Sequence, residues 1–122
     1  MTENEISKII VDVAYKVHCK LGPGLLESVY EEILYFEFLK LGLKVQRQKV
    51  VPVVWDDILG FRADLIIENK VIIELKSIEN IAPVHQKQLL TYLKITGIKL
   101  GLLINFNEAL IKDGITRIVN NL

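Results

Sequence analysis

"FRADLIIENKVIIELKS", residues 61–77, reads as a hairpin whose charges stand where its core should be. Residues 61–67 and 71–77 are dominated by aliphatic and β-branched side chains, as strands bounded by a short polar turn require. Asp64 interrupts the first run, and Glu74 and Lys76 interrupt the second. A charge inside such a segment is costly to bury unless something pairs with it, so these three residues call for a partner.

Side chains alternate between the two faces of a strand, which places Phe61, Ala63, Leu65 and Ile67 on one face and Arg62, Asp64 and Ile66 on the other. On the second strand Val71, Ile73 and Leu75 are set against Ile72, Glu74 and Lys76. If the apolar sets share one core face, the loop must hold an odd number of residues, and Glu68, Asn69 and Lys70 satisfy that. This register sets Ile67 opposite Val71, Ile66 opposite Ile72, Asp64 opposite Glu74 and Arg62 opposite Lys76. Two carboxylates would then face each other with Cβ atoms about 4.5–5.5 Å apart, which is destabilising by itself. A hard divalent cation such as Mg²⁺ or Mn²⁺ reverses that sign, because it takes carboxylate and carbonyl oxygens and retains some water. Lys76 alongside can lower the proton affinity of an attacking water or stabilise developing charge. The same residues also admit a plainer account, a solvated hairpin face on which Lys76 neutralises Glu74.

Upstream, Thr2 and Glu5 have capping-box spacing, and Ile6, Ile9, Ile10, Val13, Val17 and Leu21 recur at three and four residues, which predicts a helix to about Leu21. Gly22, Pro23 and Gly24 end it in a sharp corner, and "LLESVYEEILYFEFLKLG" predicts a second helix closed by Gly42. Residues 43–55 predict a strand, which Pro52, lacking an amide donor, confines to a sheet edge or a bulge; "DDILG" then makes a turn. Downstream, Pro83 opens a helix that reaches Thr96 and stops at Gly97. "KLGLLINF" suits a strand covered on both faces, and a turn at Asp113 and Gly114 precedes a last strand from Ile115. The order ααβββαββ predicts an α/β fold, a mixed β-sheet flanked by helices on both faces, with a right-handed strand-helix-strand crossover.

The chain of 122 residues is the size of one domain, spanning 1–122, with a single core. Lys and Arg total 15 and Asp and Glu total 15, so no strong overall positive field favours nucleic acid and any polyanion site must be local. A hydrophobic content of 51% and mean hydropathy of +0.34 are high for a small soluble domain, which points to a homo-oligomer or partner interface. No run approaches the roughly 18 uninterrupted apolar residues of a membrane span. The acidic start "MTENEISKII" does not read as a secretory signal, and with the lone Cys19 this indicates a reducing cytoplasm.

Asp64 followed on the next strand by "ELK" at 74–76 resembles the signature of the PD-(D/E)XK nuclease superfamily. "GPGLLESVYEEIL" at 22–34 resembles its small GxxExxY family, with Gly24, Glu27 and Tyr30 in the naming positions, and "FRADLII", "IELK" and "TGIKLGLLINF" extend the likeness over nearly the whole chain. Ala63 stands where the motif name has proline. The resemblance implies a restriction-endonuclease-like fold and metal-dependent phosphodiester hydrolysis. It also implies that Asp64 and Glu74 hold Mg²⁺ with the carbonyl of Leu75, that Glu27 contributes from the second helix, and that Lys76 positions or activates the water. From spacing alone Glu27 is equally a first-turn acid complementing the helix dipole.

His85, Gln88 and Tyr92 fall on one stripe of the third helix, and Gln88 with Tyr92 matches the Q-x-x-x-Y element of the superfamily's exonuclease branch. A helix edge with an amphipathic tyrosine is the plainer account. Arg62, on the face expected for Asp64, is placed to touch a phosphate; Lys44, Arg47 and Lys49 read as a solvated strand face or a phosphate patch. The leading expectation is therefore a nuclease acting on DNA or RNA. Its rivals are a non-catalytic nucleic-acid-binding or protein-interaction module of the same fold, and a structural partner subunit.

Overall fold

Thr2 caps the first helix, α1 (Glu3–Leu21), reciprocally: its Oγ1 accepts the Glu5 amide at 3.2 Å and Glu5 Oε1 accepts the Thr2 amide at 3.0 Å. The capping box and the apolar spacing thus start α1 where the sequence places it. Ile6, Ile10, Val13, Ala14 and Val17 form its buried face. Gly22, at φ 70°, ends it. The computed structural model of the chain describes residues 1–51 and 61–122.

The second helix, α2 (Glu27–Lys40), begins two residues later than the sequence suggests, because Leu25 and Leu26 are used up in the corner. Tyr30, Leu34 and Phe38, four apart, are completely buried. Its C-terminus closes on Gly42 at φ 78°, with the Gly42 amide on the Leu39 carbonyl and the Leu43 amide on the Phe38 carbonyl, a pairing that satisfies the last free carbonyls.

Among the described residues five strands follow: β1 (Val45–Val51), β2 (Phe61–Ile67), β3 (Val71–Lys76), β4 (Leu100–Asn105) and β5 (Ile115–Val119), with α3 (Pro83–Thr96) between β3 and β4 and a 3-10 turn (Ile111–Gly114) before β5. They lie in chain order in one sheet. Only β3 and β4 are parallel, as their connection through α3 demands; the other neighbours are antiparallel. β1 starts at Val45 where residues 43–55 were expected, since Leu43 belongs to the end of α2. The expectations for Pro52 and for the turn at 56–60 lie outside the described residues.

The two faces carry unequal cores. On one, α1 and α2 pack on Leu65, Ile67, Val71, Ile73, Leu75, Leu100, Leu102 and Ile104. On the other, Leu89 and Leu93 of α3 pack on Ala63, Ile66, Ile72 and Leu103. All six residues of β4 are buried between them. No helix of the described residues is long and apolar enough to cross a membrane.

One expectation about β2 fails. Ala63 and Phe61 belong to the α3-side core, whereas Leu65 and Ile67 belong to the α1/α2 side, so these four do not share a face. Alternation breaks at Asp64. The neighbouring strand is irregular at the same point: β1 pairs Arg47 with Leu65 and Lys49 with Ala63, but between them Gln48 takes a positive φ of 50° and leaves the regular ladder opposite Asp64.

Candidate active site

The loop of Glu68, Asn69 and Lys70 gives the expected register at the closed end of the hairpin: Ile67 faces Val71, Ile66 faces Ile72 and Leu65 faces Ile73. Glu68 and Asn69 both take positive φ there, and the Lys70 amide bonds the Ile67 carbonyl at 2.9 Å. Beyond Leu65 the ladder stops. The expected pairs Asp64 with Glu74 and Arg62 with Lys76 do not form as ladder neighbours; Arg62 faces Val50 of β1 and is exposed. The strands fork, and the Asp64 side chain fills the fork.

Asp64 Oδ2 accepts the backbone amide of Leu75 at 2.8 Å, so a side chain replaces the missing strand partner. Its Oδ1 accepts the side-chain amide of Gln48 at 3.2 Å. Glu74 is treated differently. It sits mostly buried next to Asp64, and its Oε1 is buried without a hydrogen-bond partner among the described residues. Burial, and then the charge of Asp64, push its carboxyl up to about 8. Burial also raises Asp64, against the Leu75 and Gln48 hydrogen bonds, which lower it. Lys76 lies close enough to favour the ionised form of both acids.

Lys76 is held by its backbone. It faces Asn105 of β4, and its carbonyl accepts the Phe106 amide at 2.9 Å. Asn105, fully buried, accepts the Ile78 and Asn107 amides at 3.1 and 3.2 Å and donates to the Ile78 carbonyl at 2.9 Å. The chain is therefore pinned to β4 immediately after the lysine.

From the other side, α2 reaches the end of β3. Glu27 Oε1 accepts the Ser77 amide at 3.2 Å and Ser77 Oγ donates to the Leu25 carbonyl at 2.6 Å. Tyr30 fixes the corner before the helix: its hydroxyl donates to the Gly22 carbonyl at 2.6 Å and accepts the Leu25 amide at 3.2 Å, while its ring stacks on Phe106 at 4.2 Å between centroids. A cleft of about 330 Å³ is lined by Glu27, Ser28, Glu31, Gln48, Asp64 and Leu75.

On the α3 side, Tyr92 stacks on Phe61 at 3.5 Å, and its hydroxyl is raised by burial and then by the charges of Glu74 and Asp64. Tyr92 therefore lies within electrostatic reach of the acid pair, packed against the α3-side core. Gln88 is exposed one turn away, and His85 is turned inward to accept the Ala82 amide through Nδ1 at 3.0 Å, capping α3. His18 Nε2 donates to the Glu108 carbonyl at 2.8 Å, away from the acids.

Asp64, Glu74, Leu75, Lys76 and Tyr92 thus come together at the fork, Glu27 stands at the rim of the cleft, and Arg62 and Gln88 are peripheral. Among the described residues no three His, Cys, Asp or Glu side chains are gathered closely enough to hold a metal ion. The donor set still fits a hard cation in part: an adjacent acid pair with an unpartnered buried oxygen, the remaining positions falling to carbonyl and water oxygens. Four participants escape the sequence reading, namely Glu31, Gln48, Ser77 and Asn105. Glu31 lies one turn beyond Glu27, and Asn105 is the amide in an otherwise apolar strand; those were the available signals. Gln48 carries none, being one of four successive polar residues.

Comparison with curated proteins and with solved structures gives no match. A family model, that of the PD-(D/E)XK nuclease superfamily, matches residues 4–118. With its five-stranded mixed sheet flanked by helices, the restriction-endonuclease-like arrangement, and the model's match over nearly its full length, the chain belongs to the PD-(D/E)XK nuclease superfamily.

Proposed function

We propose that the protein is a nuclease that hydrolyses phosphodiester bonds of DNA with Mg²⁺ or Mn²⁺, RNA being the second substrate to test. The observation that carries this reading is Glu74 Oε1, buried beside Asp64 with no hydrogen-bond partner among the described residues. Natural proteins seldom leave a buried acceptor unpaired without a reason, and a cation is the partner that an acid pair accepts. Asp64, Glu74 and the Leu75 carbonyl would hold it, with Glu27 reaching in from α2. The bound cation would supply positive charge against the phosphate and lower the pKa of a water.

The remaining work falls to the chain's own groups. In hydrolysis the water oxygen bonds to phosphorus, the ester P–O bond breaks, and a proton must reach the leaving oxygen. Lys76, set on a strand pinned at both its carbonyl and the following loop, offers an ammonium against the negative charge that grows as water attacks. Tyr92, held flat on Phe61, offers a hydroxyl to orient the scissile strand, and Gln88 and Arg62 lie outward along the path of the backbone. Neutral net charge implies few phosphate contacts and therefore a shallow salt dependence of binding.

The geometry of Gly24, Glu27 and Tyr30 supports the GxxExxY assignment in physical terms. Gly24 takes φ 101°, which suits glycine, Tyr30 ties the corner, and Glu27 reaches β3. Exposed Leu26, Val29, Phe36 and Leu41 on and beside α2 support a homodimer, and the lone free Cys19 supports a cytoplasmic location.

Lys76→Ala tests the reading. Purified wild type should cleave single-stranded or duplex DNA in Mg²⁺ or Mn²⁺, and the variant should lose at least about 10³-fold, roughly 4 kcal/mol of transition-state stabilisation, while binding metal as before. Equal cleavage by both would move the site elsewhere. Salt-sensitive binding without cleavage in any metal would favour a non-catalytic nucleic-acid-binding module, for which the absence among the described residues of a cluster of three His, Cys, Asp or Glu side chains is the supporting observation.

A further inference from the structure

Gln48 adopts φ 50° in the middle of a strand. Glu68 and Asn69 take positive φ where the chain reverses; at Gln48 nothing reverses, and a side chain with a Cβ is strained there. The strain accompanies a definite contact. The Gln48 side-chain nitrogen donates both to Glu31 Oε1 and, at 3.2 Å, to Asp64 Oδ1. Ionised carboxylates only accept, so the amide can face both of them only through its NH₂ group, and its orientation is fixed by chemistry. Glu31 is itself buried and held, its other oxygen taking Arg47 Nε at 2.9 Å. Arg47 is in turn fixed by Glu32 at 2.9 Å and by the Tyr35 ring at 5.3 Å.

We infer that Gln48 is a positioning residue for the proposed nuclease reaction. The left-handed turn of β1 brings its amide between Glu31 and Asp64, and the chain Arg47, Glu31, Gln48 holds the Asp64 carboxylate in the one orientation that also receives the Leu75 amide. This role rests on the nuclease reading above and deepens it. Glu31 serves here as the anchor of Gln48, with Arg47 turning it toward the amide. Partners of ligand side chains that sit one step out from a metal commonly change metal affinity or turnover by about 10- to 100-fold when removed.

Gln48→Gly separates positioning from scaffolding, because glycine accepts φ 50° without strain. A scaffolding residue would lose stability on losing its side chain. A positioning residue would keep or gain it while losing function. The thermal midpoint, Mn²⁺ affinity by calorimetry, and kcat and KM for DNA cleavage are measured on wild type, Gln48→Gly, Gln48→Asn and Glu31→Gln. Expected are an unchanged or higher midpoint for Gln48→Gly and about 10- to 100-fold losses in Mn²⁺ affinity and kcat with KM little changed. Gln48→Asn, which tolerates the backbone but is one methylene too short to span both acids, should lose as much. Glu31→Gln should lose part of the same function. Wild-type Mn²⁺ affinity and kcat in Gln48→Gly would overturn the inference, as would a marked fall in its midpoint. If wild type binds Mn²⁺ without cleaving, the nuclease reading fails alone and the affinities decide about Gln48. If wild type does neither, both fall.

Discussion

The two ends of the β2–β3 hairpin are built from similar residues to opposite purposes. At the closed end Leu65, Ile67, Val71 and Ile73 are fully buried, laddered and packed under α1 and α2. At the open end the ladder gives way to Asp64 on the Leu75 amide and to Glu74 with a buried oxygen that has no hydrogen-bond partner among the described residues. One end contributes stability, and the other holds charge in a place that opposes it. Sites commonly carry strain that the surrounding scaffold over-determines, and here scaffold and site are sequence neighbours on the same strands, Leu65 beside Asp64 and Ile73 beside Glu74.

The sharpest way to break that contrast is to damage the closed end. Ile73→Ala should cost about 2–5 kcal/mol by loss of buried area and creation of a cavity, read from urea unfolding. If it cost no more than an exposed substitution, the closed end would not be the scaffold described.

At the open end the expected effect reverses sign. Glu74 has a carboxyl raised to about 8 from the 4.5 of an unfolded glutamate. The native state therefore holds an extra proton between those values, and its contribution, full below about pH 4.5, is lost as pH rises through 8. Asp64, also raised, acts in the same direction. Metal-free protein should lose stability from pH 5 to 8.5, and Glu74→Gln should flatten that slope and exceed wild type at pH 8.5 by up to about 5 kcal/mol. Parallel pH profiles for the two proteins would show that Glu74 does not carry the penalty.

A smaller effect concerns the corner that aims Glu27. Tyr30→Phe keeps the stack on Phe106 but removes the hydroxyl bonds to the Gly22 carbonyl and Leu25 amide, so it should cost about 1 kcal/mol in chemical denaturation. A cost near zero would mean that packing alone holds the corner.

What the sequence made legible follows the same division. The capping box at Thr2 and Glu5, the stop at Gly42, the helix from Pro83 to Gly97 and the odd-numbered loop at 68–70 are local signals with local causes, and the structure contains each of them. The closed-end register was readable because one apolar face must stay on one side. Past Leu65 that logic extrapolated a regular ladder that does not exist. Gln48 breaks β1 by a positive φ that nothing in "VQRQKVV" announces, and with it Phe61 and Ala63 change faces. The residues that join at the fork were mostly visible as charges in apolar runs. Their hydrogen-bond partners, Gln48 on Asp64 and Asn105 behind Lys76, depend on strands far apart in sequence and could not be found by spacing.

The central claim is that the open end holds an acid pair whose repulsion a divalent cation relieves. It is tested by the thermal midpoint at pH 8, with and without millimolar Mn²⁺, of wild type and Glu74→Gln. A ligand bound only by the native state at about 100 times its Kd adds about 2.7 kcal/mol, so wild type should shift upward by several degrees while Glu74→Gln, already relieved of the charge, should barely move. A wild-type midpoint indifferent to Mn²⁺, or an equal rise in both proteins, would contradict the account.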